Sequence, residues 1–359
     1  MTEAPAEETV LVERVGRAGH IVLNRPRAIN ALSHDMVLTF DKALTRWEQD
    51  DAVSAVVVSG VGERGLCAGG DIRSIYEDAK NGDGKAAADF WRDEYVLNAR
   101  IARFAKPYVA IMDGITMGGG VGIAAHGSVR VVTERSTVAM PETGIGFIPD
   151  VGGTYLLARA PGELGTHLAL TGSPIGAGDA PLCELADIFI PSSRLADFTA
   201  ALADLDVAEA IQQYAGPIPE GPLATQRAWI DACYAAGTVE EIIERLRGSG
   251  EPEATAAAER ITANSPTAVK VTLESLRRAR RLGSLESVLD QEYRVSCAAL
   301  SSPDLVEGIR AQVVHKDRTP RWNPPTLAEV TARDVERFFS PLGDLELGLG
   351  STTTSQERW

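Results

Sequence analysis

The chain has 359 residues, of which 44% are hydrophobic, and it carries a formal net charge of −15 at pH 7. This length and apolar content suffice for one large domain or two ordinary ones with a sizeable core. The acidic balance argues against a nucleic-acid-binding protein, and the apolar runs are far shorter than the roughly 20 residues of a membrane span.

The first part of the chain alternates strands and helices. Strands are predicted where β-branched and other apolar residues cluster, at His20–Pro26, Ala55–Gly60, Tyr108–Met112 and Val129–Thr133. Helices are predicted at Ser33–Asp50, where apolar residues recur with helical spacing behind a serine N-cap, and at Ala86–Ala105. This alternation predicts an α/β core over residues 8–212.

Beyond residue 212 the composition changes. A bend rich in proline and glycine, Gln213–Thr225, leads into mostly helical sequence such as TVEEIIERL and PTAVKVTLESLRRARR. We therefore predict a helical C-terminal region over residues 213–335. The tail over residues 336–359 is predicted to be poorly ordered.

The cysteines and the N-terminus bear on the compartment. The four cysteines are scattered and form no Cys-x-x-Cys pair: Cys67, Cys183, Cys233 and Cys297. They predict reduced thiols and no structural zinc. The N-terminal MTEAPAEETV is acidic and has no apolar or Arg-rich targeting pattern. We expect a cytoplasmic protein that binds neither a membrane nor a metal.

A glycine-rich segment, GITMGGGVGIAAHG, extends from Gly114 to Gly127. Residues 120–125 fit the loose Gly-x-Gly-x-x-Ala form of a dinucleotide loop, but such a loop follows its strand directly, and here DGIT intervenes. The chain has no Gly-x-x-x-x-Gly-Lys-Ser/Thr motif, which argues against a nucleotide-triphosphate loop. A tight turn needed only for packing is the structural alternative.

A second glycine turn, LCAGGD at Leu66–Asp71, favours another interpretation. Two glycine turns that each precede a helix can aim two backbone N–H groups at one point, where they would stabilise a developing oxyanion. Glycine suits both turns, because a side chain would block the approaching carbonyl.

Two carboxylates, Glu142 and Asp150, lie in the apolar, glycine-rich segment MPETGIGFIPDVGGTYLLAR. Desolvation among apolar neighbours raises the pKa of a carboxyl group and suits it to proton transfer. Asp150 could instead be the N-cap of the helix that follows, and the two roles are compatible.

Together, these stretches resemble the crotonase (enoyl-CoA hydratase/isomerase) superfamily. The resemblance is carried, in chain order, by HIVLNRPRAINALS, GLCAGGDI, KPYVAIMDGITMGGGVGIAAH and MPETGIGFIPDVGG. It implies a spiral of ββα units with acyl-CoA bound across it, no separate cofactor because coenzyme A is part of the substrate, and assembly into homo-oligomers. It also implies that the N–H groups of Gly70 and Gly119 form an oxyanion hole for the thioester oxygen.

One position departs from the family pattern. Hydratases of this superfamily carry one glutamate just after the glycine run and another further along the chain. Here the first position is Gly122 and the second is Glu142. Adding water across a double bond needs both carboxylates, so efficient hydration is not expected, and Gly122 should leave a gap.

The 3-hydroxyisobutyryl-CoA hydrolase subfamily is more similar still. It shares AGGD, ITMGGGVG, MPE…PDVGG, a motif like RDEYVLN, and the segment SPDLVEGIRAQVVHKDRTPRWNP. The resemblance implies hydrolysis of a short-chain 3-hydroxyacyl-CoA thioester, by analogy in valine catabolism. Glu142 would be the nucleophile or the general base, and Asp150 would position water or the substrate hydroxyl.

The same resemblance implies the binding residues. Glu94 would bind the acyl hydroxyl group, the backbone around Ala68, Asp71 and Ile72 would hold coenzyme A, and Arg27 would lie near its phosphates. Two alternatives stay open: an enoyl-CoA hydratase or isomerase that works with Glu142 alone, and a non-catalytic acyl-CoA-binding protein.

Overall fold

The computed structural model describes residues 8–350 of the chain. The strands in this range are β1 (Val10–Val15), β2 (Ala18–Leu23), β3 (Ala55–Gly60), β4 (Tyr108–Met112), β5 (Ile115–Met117), β6 (Val129–Val132), β7 (Thr137–Ala139) and β8 (Ile188–Phe189). Six of them form one sheet in the order β1-β2-β3-β4-β6-β8, in which only the β1–β2 pair is antiparallel. Strands β5 and β7 form a separate parallel pair.

The α-helices surround this sheet and make up most of the C-terminal half. In chain order they are α1 (His34–Glu48), α2 (Ile72–Asn81), α3 (Lys85–Arg103), α4 (Gly119–Ala124), α5 (Gly153–Arg159), α6 (Leu164–Thr171), α7 (Asp179–Leu182), α8 (Leu195–Ala201), α9 (Val207–Tyr214), α10 (Leu223–Tyr234), α11 (Val239–Gly248), α12 (Pro252–Ala263), α13 (Pro266–Leu282), α14 (Leu285–Ala299), α15 (Pro303–Ile309) and α16 (Ala332–Arg337). A π-helical turn, Arg310–Val314, continues α15.

The local sequence accounts for the elements that frame the site. The β-branched runs form β3 and β4 with the predicted bounds, and both strands lie in the parallel part of the sheet. Helix α1 begins after Ser33, whose side chain accepts a hydrogen bond from the N–H of Met36, as the predicted N-cap requires. The glycine turn Leu66–Asp71 lies between β3 and α2, and the glycine run follows β5 and begins α4.

The helical C-terminal region packs directly onto the sheet-bearing core. One continuous apolar cluster contains residues of both regions, among them Leu157 of α5 and Leu289 of α14. Helix α14 packs against α3 and α13 packs against α5. The fold is therefore the predicted α/β architecture with a helical C-terminal region.

The predicted tail is more ordered than expected over its first part. Glu346 forms an ion pair with Arg294 of α14 at 2.8 Å, and the N–H groups of Leu349 and Gly350 donate to Asp290. These contacts fix the chain up to residue 350 against α14, because acidic and basic side chains on the helix meet groups of the tail. Residues 351–359 of the predicted tail lie outside the described residues.

Candidate active site

The two glycine turns lie side by side. Pairing of Cys67 with the strand β5 connects them: the Cys67 N–H donates to Ile115 O at 3.1 Å, and the Met117 N–H donates to Cys67 O at 2.9 Å. A Cβ atom placed on Gly119 would lie only 3.2 Å from the Gly70 nitrogen. Within residues 8–350, neither the Gly70 N–H nor the Gly119 N–H has an acceptor. The turns thus bring two unpaired amide donors close together.

A cavity of about 420 Å³ opens beside these amides. Of the residues that the sequence singled out, the cavity is lined by Ala68, Gly70, Ile72, Glu94, Gly119, Glu142 and Asp150. Most of the remaining lining is apolar, from α3, from the segment after β7 and from α15. The structure therefore gathers the predicted amides and carboxylates around one space.

Glu142 begins a 3-10 turn, Glu142–Ile145, just after β7. Its side chain is buried, and its Oε1 atom lies 2.9 Å from where a Cβ on Gly118 would be. Its Oε2 atom has no hydrogen-bond partner among the described residues. Burial, and then the negative charge of Asp150, raise the pKa of Glu142 well above its usual range.

Asp150 follows Glu142 along the same segment, and its side chain is buried as well. Its Oδ2 atom accepts a hydrogen bond of 2.7 Å from the hydroxyl group of Tyr95 on α3. Burial raises the pKa of Asp150 to about 7, and the Tyr95 hydrogen bond opposes this rise. Asp150 can therefore exchange a proton near neutral pH.

The alternative interpretation of Asp150 as a helix N-cap is wrong. Gly152 is the N-cap residue of α5, and it is Glu292 of α14 whose carboxylate accepts the N–H groups of Gly152 (2.6 Å) and Thr154 (2.9 Å). Because Glu292 takes these orphan donors, the Asp150 side chain is not needed at the helix end.

Glu94 of α3 is the third carboxyl group at the cavity. It is 1% exposed, its Oε1 atom has no partner within residues 8–350, and this atom lies 2.6 Å from where a Cβ on Gly119 would be. Burial, followed by the charge of Asp150, raises the pKa of Glu94 well above its usual range. The three carboxyl groups line one cavity, and burial raises the pKa of each, which favours their protonated forms.

Gly122 does not leave the expected gap. A Cβ atom on Gly122 would lie 2.6 Å from Cβ of Val151 and 2.9 Å from Nδ2 of Asn98. Val151 takes a positive φ of 55°, which brings its side chain against the helix α4. The space beside Gly122 is therefore filled by packing and has no room for a glutamate side chain.

Two predicted binding residues lie apart from the cavity lining. Asp71 precedes α2 and forms an ion pair with Arg25 at 2.9 Å. Arg27 lies exposed in the 3-10 turn Pro26–Ala28. The assignment of Arg27 to the phosphates of coenzyme A stays a prediction.

Cys67 is buried within the glycine turn, and burial raises the pKa of its thiol to about 12, which makes it a poor nucleophile.

Sequence reasoning missed several residues of the site. Trp91 of α3 and Phe147 stack with ring centroids 5.3 Å apart and line the cavity. Tyr95 follows Glu94 directly, so the RDEYVLN motif already contained it. Glu292 and Ser296 lie on α14, far along the chain, and no local pattern marks them.

Residues 8–350 contain neither a candidate metal site nor a candidate membrane span. No group of three His, Cys, Asp or Glu side chains is arranged to hold a metal ion. None of the helices in this range combines the length and apolarity that crossing a membrane would demand.

Comparison with known proteins gives one consistent family. The family model described as enoyl-CoA hydratase/isomerase matches residues 18–339. A protein of Danio rerio named 3-hydroxyisobutyryl-CoA hydrolase, mitochondrial, is 42% identical, over 97% of this chain and 94% of that protein.

Two crystal structures are also close. A carnitinyl-CoA dehydratase from Mycobacterium thermoresistibile is 56% identical with a TM-score of 0.92, over 95% of this chain and 98% of that one. An enoyl-CoA hydratase from Rhodobacter sphaeroides is 43% identical with a TM-score of 0.90, over 95% and 99% of the two chains.

Proposed function

The chain belongs to the enoyl-CoA hydratase/isomerase family, and on that premise we propose that it hydrolyses a 3-hydroxyisobutyryl-CoA-type thioester to the free acid and CoA. The observation that carries the proposal is the convergence of Gly70, Gly119, Glu142 and Asp150 on one cavity. A thioesterase needs a donor pair for the carbonyl oxygen, a group that attacks or activates water, and an acid for the leaving thiolate. These four residues can supply all three.

In the proposed mechanism the thioester oxygen accepts hydrogen bonds from the N–H groups of Gly70 and Gly119. Glu142 then either attacks the acyl carbon, forming an anhydride, or removes a proton from an attacking water. The C–S bond breaks, and protonated Asp150 donates its proton to the departing thiolate. In the anhydride route, Asp150 next accepts a proton from the water that releases the acid and frees Glu142. Glu94 binds the 3-hydroxyl group of the acyl chain.

Isotope labelling tests the anhydride role of Glu142. A turnover in ¹⁸O-water places the label in Glu142 if water attacks the anhydride at the enzyme's carboxyl carbon, and peptide mass spectrometry detects it. Label in Glu142 would therefore establish the anhydride route. Label confined to the product is expected both of the general-base route and of an anhydride attacked at its acyl carbon.

The similarity to a carnitinyl-CoA dehydratase structure favours a second candidate function, hydration or dehydration of a CoA thioester. Two observations weigh against it. Gly122 stands where the family's hydratases place a glutamate, and Val151 and Asn98 fill the neighbouring space.

A non-catalytic acyl-CoA-binding role leaves the cluster of buried carboxyl groups without a purpose.

Assays with two substrates test the proposal. We expect the purified chain to release free thiol from 3-hydroxyisobutyryl-CoA and to leave the double bond of crotonyl-CoA intact. The near-isosteric variant E142Q should lose thiol release by about 100-fold or more, the range of general acid–base and covalent catalysis. Hydration of crotonyl-CoA without thiol release would support the second candidate and overturn the first. Inactivity toward both substrates with tight binding would support the binding protein.

The remaining elements of the proposal concern the cellular setting. We propose that coenzyme A enters only as part of the substrate, that the product belongs to valine catabolism, and that the chain forms homo-oligomers. The free cysteines suit a reducing compartment, for which we propose the cytoplasm; the relative from Danio rerio is named mitochondrial.

A further inference from the structure

The hydroxyl group of Tyr95 makes an unusual connection behind the proposed catalytic residues. Tyr95 is completely buried on α3 and donates its hydrogen bond to Asp150 Oδ2 at 2.7 Å. The same hydroxyl oxygen lies 2.7 Å from Oγ of Ser296 on α14. A tyrosine hydroxyl has a single proton, so when Tyr95 donates to Asp150, the Ser296 hydroxyl must donate to Tyr95.

Asp150 is free for this contact because another residue satisfies the adjacent helix. Glu292 of α14 accepts the N–H groups of Gly152 and Thr154 and the hydroxyl group of Thr154. Tyr95 is then the side chain that bonds Asp150 within residues 8–350, and it bonds only the Oδ2 atom. The Oδ1 atom is left for the cavity that Asp150 lines.

From this geometry we propose that Tyr95, oriented by Ser296, is a positioning residue that holds the Asp150 carboxyl group for proton transfer in the thioester hydrolysis. The inference rests on the proposed function, since it assigns Asp150 a proton to move. Tyr95 does not contact the acyl group; it fixes which oxygen of Asp150 faces the substrate.

The charged groups around Asp150 give Tyr95 a second effect. Glu94 from α3, Glu142 from its 3-10 turn and Glu292 from α14 face Asp150, and all three are acidic and buried. Against these, the Tyr95 hydroxyl favours the ionised form of Asp150 and lowers its pKa. Removing this hydroxyl should therefore move the titration of Asp150 to higher pH.

The variant Y95F tests the proposal, with Y293F as its matched control. Tyr293 packs edge-on against the Tyr95 ring, with centroids 6.3 Å apart, and makes no bond to Asp150. In Y95F we expect kcat to fall about 10- to 100-fold, the size expected of one hydrogen bond to a charged group, with KM changed less than about twofold. The inflection at which the rate falls, because protonated Asp150 is lost, should move to higher pH. In Y293F both the rate and the profile should stay close to those of the wild type.

A double-mutant cycle distinguishes positioning from a merely structural role. In a D150N background, Y95F should cause no further loss of rate, because the group that it orients is gone. Additive losses, or a Y95F profile that matches Y293F, would overturn the proposal. If Y95F fails to fold by circular dichroism, S296A decides: a shift in the same direction supports the proposal, and a profile identical to the wild type overturns it. If the proposed function itself is wrong, the wild type releases no thiol, and this distinguishes that result from every outcome of the Y95F and S296A experiments.

Discussion

At the scale of single residues, substitution of Gly119 by alanine tests the proposed oxyanion hole directly. In G119A the new methyl group would lie 3.2 Å from the Gly70 nitrogen and 2.6 Å from Glu94 Oε1, in the space that the thioester oxygen needs. Because the methyl group would keep the thioester oxygen away from the two amide donors, we expect kcat for thiol release to fall about 100-fold or more, as when an oxyanion donor is removed.

The matched control is G176A. A Cβ atom on Gly176 would meet only Ser136 O, at 3.9 Å, and Gly176 does not line the cavity. The kcat of G176A for thiol release should stay near that of the wild type. Thermal unfolding of G119A and G176A should show that both variants fold. A normal rate in folded G119A would remove Gly119 from the mechanism.

The pH dependence of the rate reports on the buried carboxyl groups. Attack by Glu142, as base or nucleophile, requires its ionised form, and burial raises its pKa well above the usual range. The value of kcat/KM should therefore rise with pH and bend at a pH clearly above the 4 to 5 of ordinary carboxyl groups. Re-assay at pH 8 after incubation at low pH separates this titration from unfolding. A rate that stays flat down to pH 5 would contradict the role given to Glu142.

Sequence reasoning reached these residues of the cavity because each belongs to a short motif. Gly70, Gly119 and Glu142 follow recognisable turns, and Glu94 lies within a helical motif. It failed at Gly122, where the missing side chain predicts a gap. Whether that space is empty depends on Val151, whose positive φ turns its side chain toward α4, and no local pattern reveals this.

At the scale of elements, Glu292 joins α14 to the beginning of α5. Its carboxylate accepts hydrogen bonds from Gly152 and Thr154, which lie 140 and 138 positions earlier in the chain, and it is completely buried. In E292A the N–H groups of Gly152 and Thr154 would lose their acceptor, and each unsatisfied buried donor costs about 1 to 3 kcal/mol. We expect the free energy of unfolding, measured in urea, to fall by about 2 to 4 kcal/mol.

The control for this prediction lies on the same helix. Glu286 pairs with Arg103; the arginine side chain is 53% exposed and the glutamate side chain is 12% exposed. Because water reaches the arginine and screens the pair, E286A should change the free energy of unfolding by less than about 1 kcal/mol. Equal effects of the two variants would show that the bonds at the α5 terminus are not important for stability.

Elements whose signals are local were predictable, and those that depend on distant partners were not. The β-branched runs predicted β3 and β4, and Ser33 predicted the beginning of α1. The N-terminus of α5 is different. Its N–H groups are capped by Glu292 of α14, and not by Asp150, which is nearer in the sequence. Likewise, the order of residues 346–350 depends on Arg294 and Asp290 of α14.

At the scale of the whole molecule, the buried carboxyl groups couple function to stability. Burial raises the pKa of Glu142 and Glu94 well above the usual range, that of Asp150 to about 7 and that of Glu292 to about 8. Between about pH 4 and these values the unfolded chain has lost protons that the folded protein keeps. The free energy of unfolding should therefore fall as pH rises through this window.

Three histidines with lowered pKa values, His20, His126 and His167, act in the opposite direction at lower pH. Burial lowers the pKa of His126 and of His167 to about 4, so the unfolded chain binds more protons than the folded protein between about pH 4 and 6.5. Their contribution rises with pH in that range and is complete by about pH 7. The effect of the carboxyl groups is therefore isolated between about pH 7 and 8.

The variant E142Q measures the contribution of one of these groups. An amide does not titrate, so the free energy of unfolding of E142Q should exceed that of the wild type by a margin that widens as the pH rises from about 4 toward the raised pKa of Glu142, by at most about 1.4 kcal/mol per pH unit. Urea unfolding at pH 6, 7 and 8 provides the measurement, and E259Q, a change at an exposed position of α12, should run parallel to the wild type. If E142Q also runs parallel, Glu142 is not held protonated by burial in the free protein. A widening margin would mean that burying the Glu142 carboxyl group in the site costs stability, which the apolar contacts between the α/β core and the C-terminal helices offset.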